Sequence, residues 1–231
     1  MSIVASDEAG IILLSLKVAT ASVVFSVPAA IFFAYALARW NFPGKTLLDA
    51  LLHLPLVLPP VVVGFSLLLL FGKQGFLGRW LDDWFGIVFA FRWTGAALAS
   101  AIMGFPLMVR AIRLSITAID RRLETVARTL GGSRLWVFTS VTLPLALPGV
   151  VTGVLLSFAR SLGEFGATIT FVSNIPGETE TLPLAIYSLI QTPGGDAQAL
   201  RLSGIAIVLS IVALAVSEWL TRRSQKFVAR P

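Results

Sequence analysis

Apolar residues in this chain are gathered into long runs that polar stretches separate. The runs cover about residues 10–38, 47–71 and 145–172, another from a start between Phe85 and Thr94 to about Ala118, and a last from about 198 to 220. A helix needs roughly 20 apolar residues to cross a hydrocarbon core about 30 Å thick, so each run is long enough for a span. The pattern predicts an all-α, polytopic membrane protein with about five transmembrane helices, built as a single transmembrane domain over residues 1–231. Two runs carry breakers. Pro55, Pro59 and Pro60 in the second each remove a backbone donor and predict a kinked or interrupted helix. Gly163 and Gly166 weaken the end of the fourth.

The polar stretches carry structure of their own. In Arg121–Pro144, Leu123, Val126, Ala127 and Leu130 fall on one helix side and Arg121, Glu124 and Arg128 mostly on the other, which predicts a short amphipathic helix. Gly131 and Gly132 stop it, and Ser133 is placed to cap a second helix whose apolar residues are Leu135, Trp136 and Phe138. Pro144 then bends or restarts the chain. Residues 73–93 mix Lys73, Arg79, Asp82, Asp83 and Arg92 with Trp80, Trp84, Phe85 and Trp93, as expected at headgroup depth. In 173–197, NIPGETE reads as a loop, TLPLAIYSLIQ as an amphipathic piece and TPGGD as a turn. Ala199, Ser203, Ala206, Ser210, Ala213 and Ser217 form a small-residue stripe along the last run, predicting a close-packing face.

Composition narrows the class. With 56% hydrophobic and 13% charged residues the chain is too apolar for a soluble domain. It has no cysteine and one histidine, His53, which removes thiolate chemistry, disulfides and Cys- or His-built metal centres; no cofactor is expected. His53 reads as a satisfied polar residue near a helix start. Gly44-Lys45-Thr46 resembles the tail of a phosphate-binding loop but lacks the leading glycine and the surrounding βα unit. The net charge of +6 does not point to nucleic acid, because Lys and Arg cluster at the ends of apolar runs. Arg39, Lys45, Arg110, Arg113, Arg121, Arg122, Arg128, Arg134, Arg222, Arg223, Lys226 and Arg230 fall on one side of the threading, and Lys73, Arg79, Arg92 and Arg201 on the other. By the positive-inside rule this predicts an outside N-terminus and an inside C-terminus. Asp7 and Glu8 stand where a signal peptide carries its basic region, so a cleaved leader is not expected.

The fourth run holds the most costly residues. Gly149, Gly153, Ser157, Arg160 and Glu164 recur at steps of three and four, giving a face of small residues that ends in two charges. An Arg near a helix centre costs about 2.5–3.5 kcal/mol on insertion scales, so Arg160 should face protein or water. One role is a structural pair with Glu164 one turn on.

The spacing around Gly131, Val141 and Leu143-Pro144 resembles the second half of the EAA loop of bacterial ABC importer permeases. The Glu is displaced: Thr125, Val126 and Ala127 occupy the Glu-Ala-Ala positions and Glu124 precedes them. HLPLVLPPVVVGF, FPLMVRAIR, FARSLGEFGATITFVSNIPGETETLP and YSLIQTPGG extend the likeness over nearly the whole chain, to the inner-membrane permease subunit of molybdate ABC importers. The resemblance implies a transport subunit without catalysis of its own, in a bacterial inner membrane, importing molybdate, and tungstate with it, by alternating access; it places Arg160 and Glu164 on the oxyanion's path, with the small face of the fourth run turned to a dimer axis, as the second role for that pair. It implies a second copy of the chain, two cytoplasmic ATP-binding cassette subunits and a periplasmic oxyanion-binding protein as partners. It assigns coupling to the ATPase subunit to cytoplasmic helices carrying Glu124, Ala127, Arg128, Gly131, Val141, Leu143 and Pro144. Sulfate/thiosulfate permeases share the Arg-x-Leu-Gly-Glu region and form the alternative. A channel or ion-driven transporter fits the spans, but no inverted repeat or sodium-site pattern is visible. A membrane enzyme would need a catalytic constellation, which the spans lack.

Because native cysteine is absent, topology is directly testable. A single Cys at Ser2 or Thr179 is expected to react with an impermeant thiol reagent in intact cells, and one at Ser133 or Ser224 only after permeabilisation. Labelling of Ser224→Cys from outside would overturn the orientation.

Overall fold

The computed structural model describes the backbone of residues 2–228 and the side chains of residues 8–216 and Trp219. Among the described residues every regular element is helical. In chain order they are α1 (Ser2–Arg39), α2 (Lys45–Val57), α3 (Pro60–Phe71), α4 (Phe76–Phe85), α5 (Trp93–Ala118), α6 (Arg121–Thr129), α7 (Arg134–Val137), a π-helical turn (Phe138–Thr142), α8 (Leu143–Leu162), α9 (Gly166–Val172), α10 (Leu182–Ile190) and α11 (Asp196–Val228). Among the described residues four continuous helical stretches are long and apolar enough to span: residues 8–39, 93–118, 134–162 and 196–216; α2 and α3 reach that length only when taken together as one bent pair. The basic residues Arg222, Arg223, Lys226 and Arg230, with Asp7, Ser2, Ser217 and Ser224, lie outside the described side chains.

The second apolar run is more broken than a kink. α2 ends at Val57, Pro59 and Pro60 start α3, and the two axes meet at 113°. Pro60 removes a donor that the first turn of a new helix does not need, so the break costs little there. At 1.5 Å per residue neither half reaches across a bilayer alone. The fourth run likewise divides. α8 stops at Leu162, and Gly163, Glu164 and Phe165 link it to α9. The two breaks lie side by side: a Cβ on Gly166 would come within 2.7 Å of Pro60 Cβ.

α5 is the central helix, 61% buried over its apolar window, whereas α11 is 11% buried. Its small residues explain this. Gly95, Ala96, Ala97, Ala99, Ser100 and Gly104 are all buried and let α1, α8 and α9 approach closely, and in lipid such packing rather than water exclusion holds helices together. One core joins α1, α3, α5 and α9 through Val18, Val63, Leu67, Met103 and Phe171. A second joins α1, α5 and α8 through Ala30, Ala34, Leu37, Met108, Ile112 and Ala146. A third seats α10 and α11 on the start of α1, where Leu182 N–H donates to Ser15 Oγ (2.8 Å) and Arg201 pairs with Glu8.

Several sequence expectations change here. The small face of α8 packs on α5 of the same chain, Gly153 lying against the Met108 backbone and Gly104 against Ser157, so it does not turn to a dimer axis. The stripe on α11 is covered unevenly: Ala199 is buried, Ser203, Ala206 and Ala213 are half-buried, and Ser210 is exposed. Pro144 does not restart the chain. Leu143 is α-helical (φ −65°, ψ −44°), and its N–H donates to the Phe138 carbonyl across the π turn, which widens the helix ahead of the proline. Thr179 is fully buried, donating to the Ser173 carbonyl and accepting from Ile175 N–H, so the exposed Pro176 is the usable labelling position in that loop.

The α3–α9 contact depends on Gly64, where a side chain would collide with the Ala167 carbonyl oxygen and lie 2.9 Å from both Ala167 Cα and Thr170 Cβ. Gly64→Val is expected to destabilise the chain by about 1–3 kcal/mol, while Leu69→Ala on the exposed side of α3 stays within about 0.5 kcal/mol. Thermal melts of the detergent-solubilised protein check this; equal melting temperatures would refute the contact.

Candidate functional site

Two regions carry chemistry outside ordinary packing. The first is the elbow of α6 and α7. Asp120 Oδ1 accepts from Arg122 N–H (2.9 Å) and starts α6; Gly131, at φ +91°, ends it. Ser133 Oγ accepts from Trp136 N–H (3.2 Å) and starts α7. Gly132 has no room for a side chain, since a Cβ would lie 2.8 Å from the Ala127 carbonyl oxygen and 2.9 Å from the Trp136 ring. The elbow is therefore compact. Its outer surface is apolar: Leu123, Val126, Leu130, Leu135 and Trp136 are all about half exposed or more, Leu130 reaching 83%.

Glu124 faces the other way. Its Oε1 accepts from Arg39 Nε (3.0 Å) at the end of α1 and from Thr142 Oγ1 (2.9 Å) on the π turn. Arg39 also donates to the Ile119 carbonyl (3.2 Å), and its side chain is only 7% exposed. One carboxylate thus ties α1, α6 and the base of α8 together. A charge-assisted pair with little water access resists displacement more than an exposed one. Arg128 lies on this inward side of α6; Ala127 lies under Trp136 at the elbow's edge; Val141 and Leu143 are half-buried and Pro144 exposed at the root of α8.

The second region is the break between α8 and α9. Arg160 Nη1 lies 2.6 Å from Glu164 Oε2; the arginine side chain is 28% exposed and the glutamate 1%. Glu164 Oε1 accepts from Ala167 N–H (2.8 Å), so the same carboxylate caps α9. Buried hydroxyls lie nearby: Ser161 Oγ is 2.9 Å from Ser22 Oγ of α1, and Thr168 Oγ1 donates to the Phe165 carbonyl (2.9 Å).

Three polar contacts escaped the sequence reading. Arg39 was read as a topology marker, and only the fold brings it to Glu124 across 85 positions. Asp49 pairs with Arg113 (2.8 Å) and lies beside His53, tying α2 to α5. Lys17, inside the first apolar run, sits 3.7 Å from the centroid of the Trp93 ring. The signal for Lys17 was present, since a lone cation in a span needs an aromatic or a water path.

Apolar helices broken beside a buried charge pair, with an exposed elbow at one end, define a multi-pass helical membrane subunit. The family described as "Binding-protein-dependent transport system inner membrane component" matches residues 26–226, and the chain belongs to it: a multi-pass inner-membrane permease of the ABC importer class, not an enzyme. It is 62% identical over 219 residues to "Molybdenum transport system permease protein ModB" of Escherichia coli (strain K12), covering 95% of this chain and 96% of that one. It is 44% identical over 158 residues to "Sulfate transport system permease protein CysT" of the same organism, covering 68% of this chain and 57% of that one. Among solved structures, a bacterial ABC transporter "involved in the import of the acidic polysaccharide alginate" superposes with TM-score 0.74 at 17% identity, over 93% of this chain and 79% of that one. At that identity the likeness speaks for the fold.

The Arg160–Glu164 geometry sets its own test. Removing one partner of a buried pair costs roughly 3–5 kcal/mol, and exchanging the two charges would strip α9 of its cap, so neither change isolates the arginine. Arg160→Gln/Glu164→Gln leaves no buried charge and keeps an acceptor for Ala167 N–H. It is expected to assemble, with oxyanion uptake down at least about tenfold. Near-normal uptake by the assembled double variant would show that the pair is structural only.

Proposed function

We propose that this chain is the membrane-embedded permease subunit of an ATP-driven importer that carries molybdate, and tungstate with it, from periplasm to cytoplasm by alternating access. The observation that carries the substrate is the 62% identity over nearly the full length to a permease named for molybdenum transport. The sulfate reading rests on lower identity over a shorter stretch. Two copies of the chain, two cytoplasmic ATP-binding cassette subunits and a periplasmic oxyanion-binding protein make up the working complex. The N-terminus lies outside and the C-terminus inside, which puts the elbow in the cytoplasm. No cofactor is assigned.

In this reading the exposed apolar knuckle of the elbow seats in a groove of the ATPase subunit, a helix-in-groove contact. Ala127 and Gly131 belong to the contact itself. Glu124, Arg128, Val141, Leu143 and Pro144 work from behind it: the Arg39–Glu124–Thr142 node ties the elbow to α1 and α8, so a displacement of the elbow moves both helices as one body. The movement then reaches the α8–α9 break, where Arg160 offers a guanidinium to a dianion that has lost hydration and Glu164 holds the guanidinium in place.

The reading is tested in a host lacking its own molybdate importer, with the chain expressed beside its ATPase and binding protein. Radiolabelled molybdate should accumulate and unlabelled tungstate should compete, while equimolar sulfate should not. Sulfate competing as well as tungstate would favour the sulfate reading. In the same assay Gly131→Pro, at a position of φ +91° that proline cannot adopt, should abolish uptake and leave ATP hydrolysis lost or uncoupled. Normal coupled transport by that variant would refute docking through the elbow.

A further inference from the structure

The inward side of the elbow carries more positive charge than the fold uses. Tyr35, Arg39, Trp40, Arg121, Arg128 and Arg134 surround a crevice of about 290 Å³ between the end of α1 and the elbow. Glu124 also faces it, but that carboxylate is already held by Arg39 and Thr142. Arg121 donates to the Ala38 carbonyl (3.3 Å), a weak claim on its charge. Among the described residues no carboxylate pairs with Arg121, Arg128 or Arg134. Three guanidinium groups around one small crevice repel each other, and an anion between them would turn that repulsion into attraction.

The surroundings indicate which anion. Trp40 packs edge-on against Phe32 (5.8 Å between centroids) and Tyr35 (6.1 Å). Phe32 is 54% exposed on α1 and Trp40 47%. Trp and Tyr at the end of a spanning helix mark the headgroup level, so the crevice opens at the depth of lipid phosphates, beside side chains that face acyl chains. Arg121, Glu124, Thr125 and Arg128 follow each other at steps of three, one and three along α6, on the face opposite Leu123, Val126 and Leu130. The basic face is therefore turned from the apolar surface proposed to meet the ATPase. We propose that this crevice binds the phosphate of an acidic phospholipid of the adjoining leaflet. Guanidinium groups bind phosphate oxygens in bidentate fashion, and basic clefts beside spanning helices suit such headgroups. The lipid would brace the elbow against α1 from behind.

The test uses the complete transporter with its ATPase subunits in nanodiscs of equal phosphatidylcholine and phosphatidylglycerol. Native mass spectrometry then counts the lipids retained. The unaltered complex is expected to keep phosphatidylglycerol in excess, and Arg121→Gln/Arg134→Gln to reduce that excess roughly tenfold. Arg110→Gln/Arg122→Gln, which removes the same charge from exposed positions elsewhere, should keep it, as should Arg121→Lys/Arg134→Lys. An equal loss in the Arg110/Arg122 variant would mean general surface attraction and overturn the site. Displacement of the lipid by millimolar inorganic phosphate would assign the crevice to a soluble anion instead. Release of the ATPase subunits from Arg121→Gln/Arg134→Gln in pure phosphatidylcholine discs would assign the arginines to a protein partner. Either result defeats the lipid proposal.

Discussion

Glu164 has almost no contact with solvent, yet it stands where two helices are interrupted side by side. A free carboxylate there would be prohibitive, and an open helix end in lipid would be costly in its own right. One group answers both demands: one oxygen accepts from the first turn of α9 and the other lies against Arg160. With α9 capped, its Ala167 and Phe171 pack on α3, and α3 can start afresh at the proline break instead of continuing α2. The broken second span, the divided fourth span and the close approach of Gly64 and Gly166 to their neighbours all presuppose this arrangement.

The elbow repeats the device at the other functional end. Where Glu164 joins two helices, Glu124 joins α1, α6 and the π turn with one carboxylate, and the guanidinium that satisfies it comes from the last residue of α1. In the coupling role we propose for it, rigid attachment behind, with apolar side chains projecting in front, lets the elbow pass on a push rather than absorb it. Gly131 and Gly132 serve that compactness differently, one through its backbone angle and the other through the space it leaves for Trp136.

Much of the architecture was legible in the chain. Run lengths marked the helices because a bilayer demands a minimum apolar length, and turn chemistry at Ser133, Gly131 and the 173–197 loop acted over a few neighbouring residues. The likeness of SLGEFGATITFVSNIPGE to importer permeases was legible for the same local reason. Prolines 55, 59 and 60 announced a break but not its 113° angle, since proline only removes donors and restricts φ while neighbouring helices set the direction.

Pairings between distant positions were not legible. Nothing near Arg39 in sequence says that its partner is Glu124, or that Arg113 meets Asp49, because those distances arise only when α1, α2 and α5 lie together. Small-residue stripes left their partners open for a related reason: α8 and α11 both carry one, but only neighbours decide what covers it, and α5, with its own glycines and alanines, took the centre. The sequence by itself determined that this is a multi-span helical membrane protein with an elbow of two capped helices, because hydrophobic length and capping act along the chain. The tertiary structure alone decided where each charge finds its counter-charge and which face meets which helix, because Coulomb attraction and steric fit act through space.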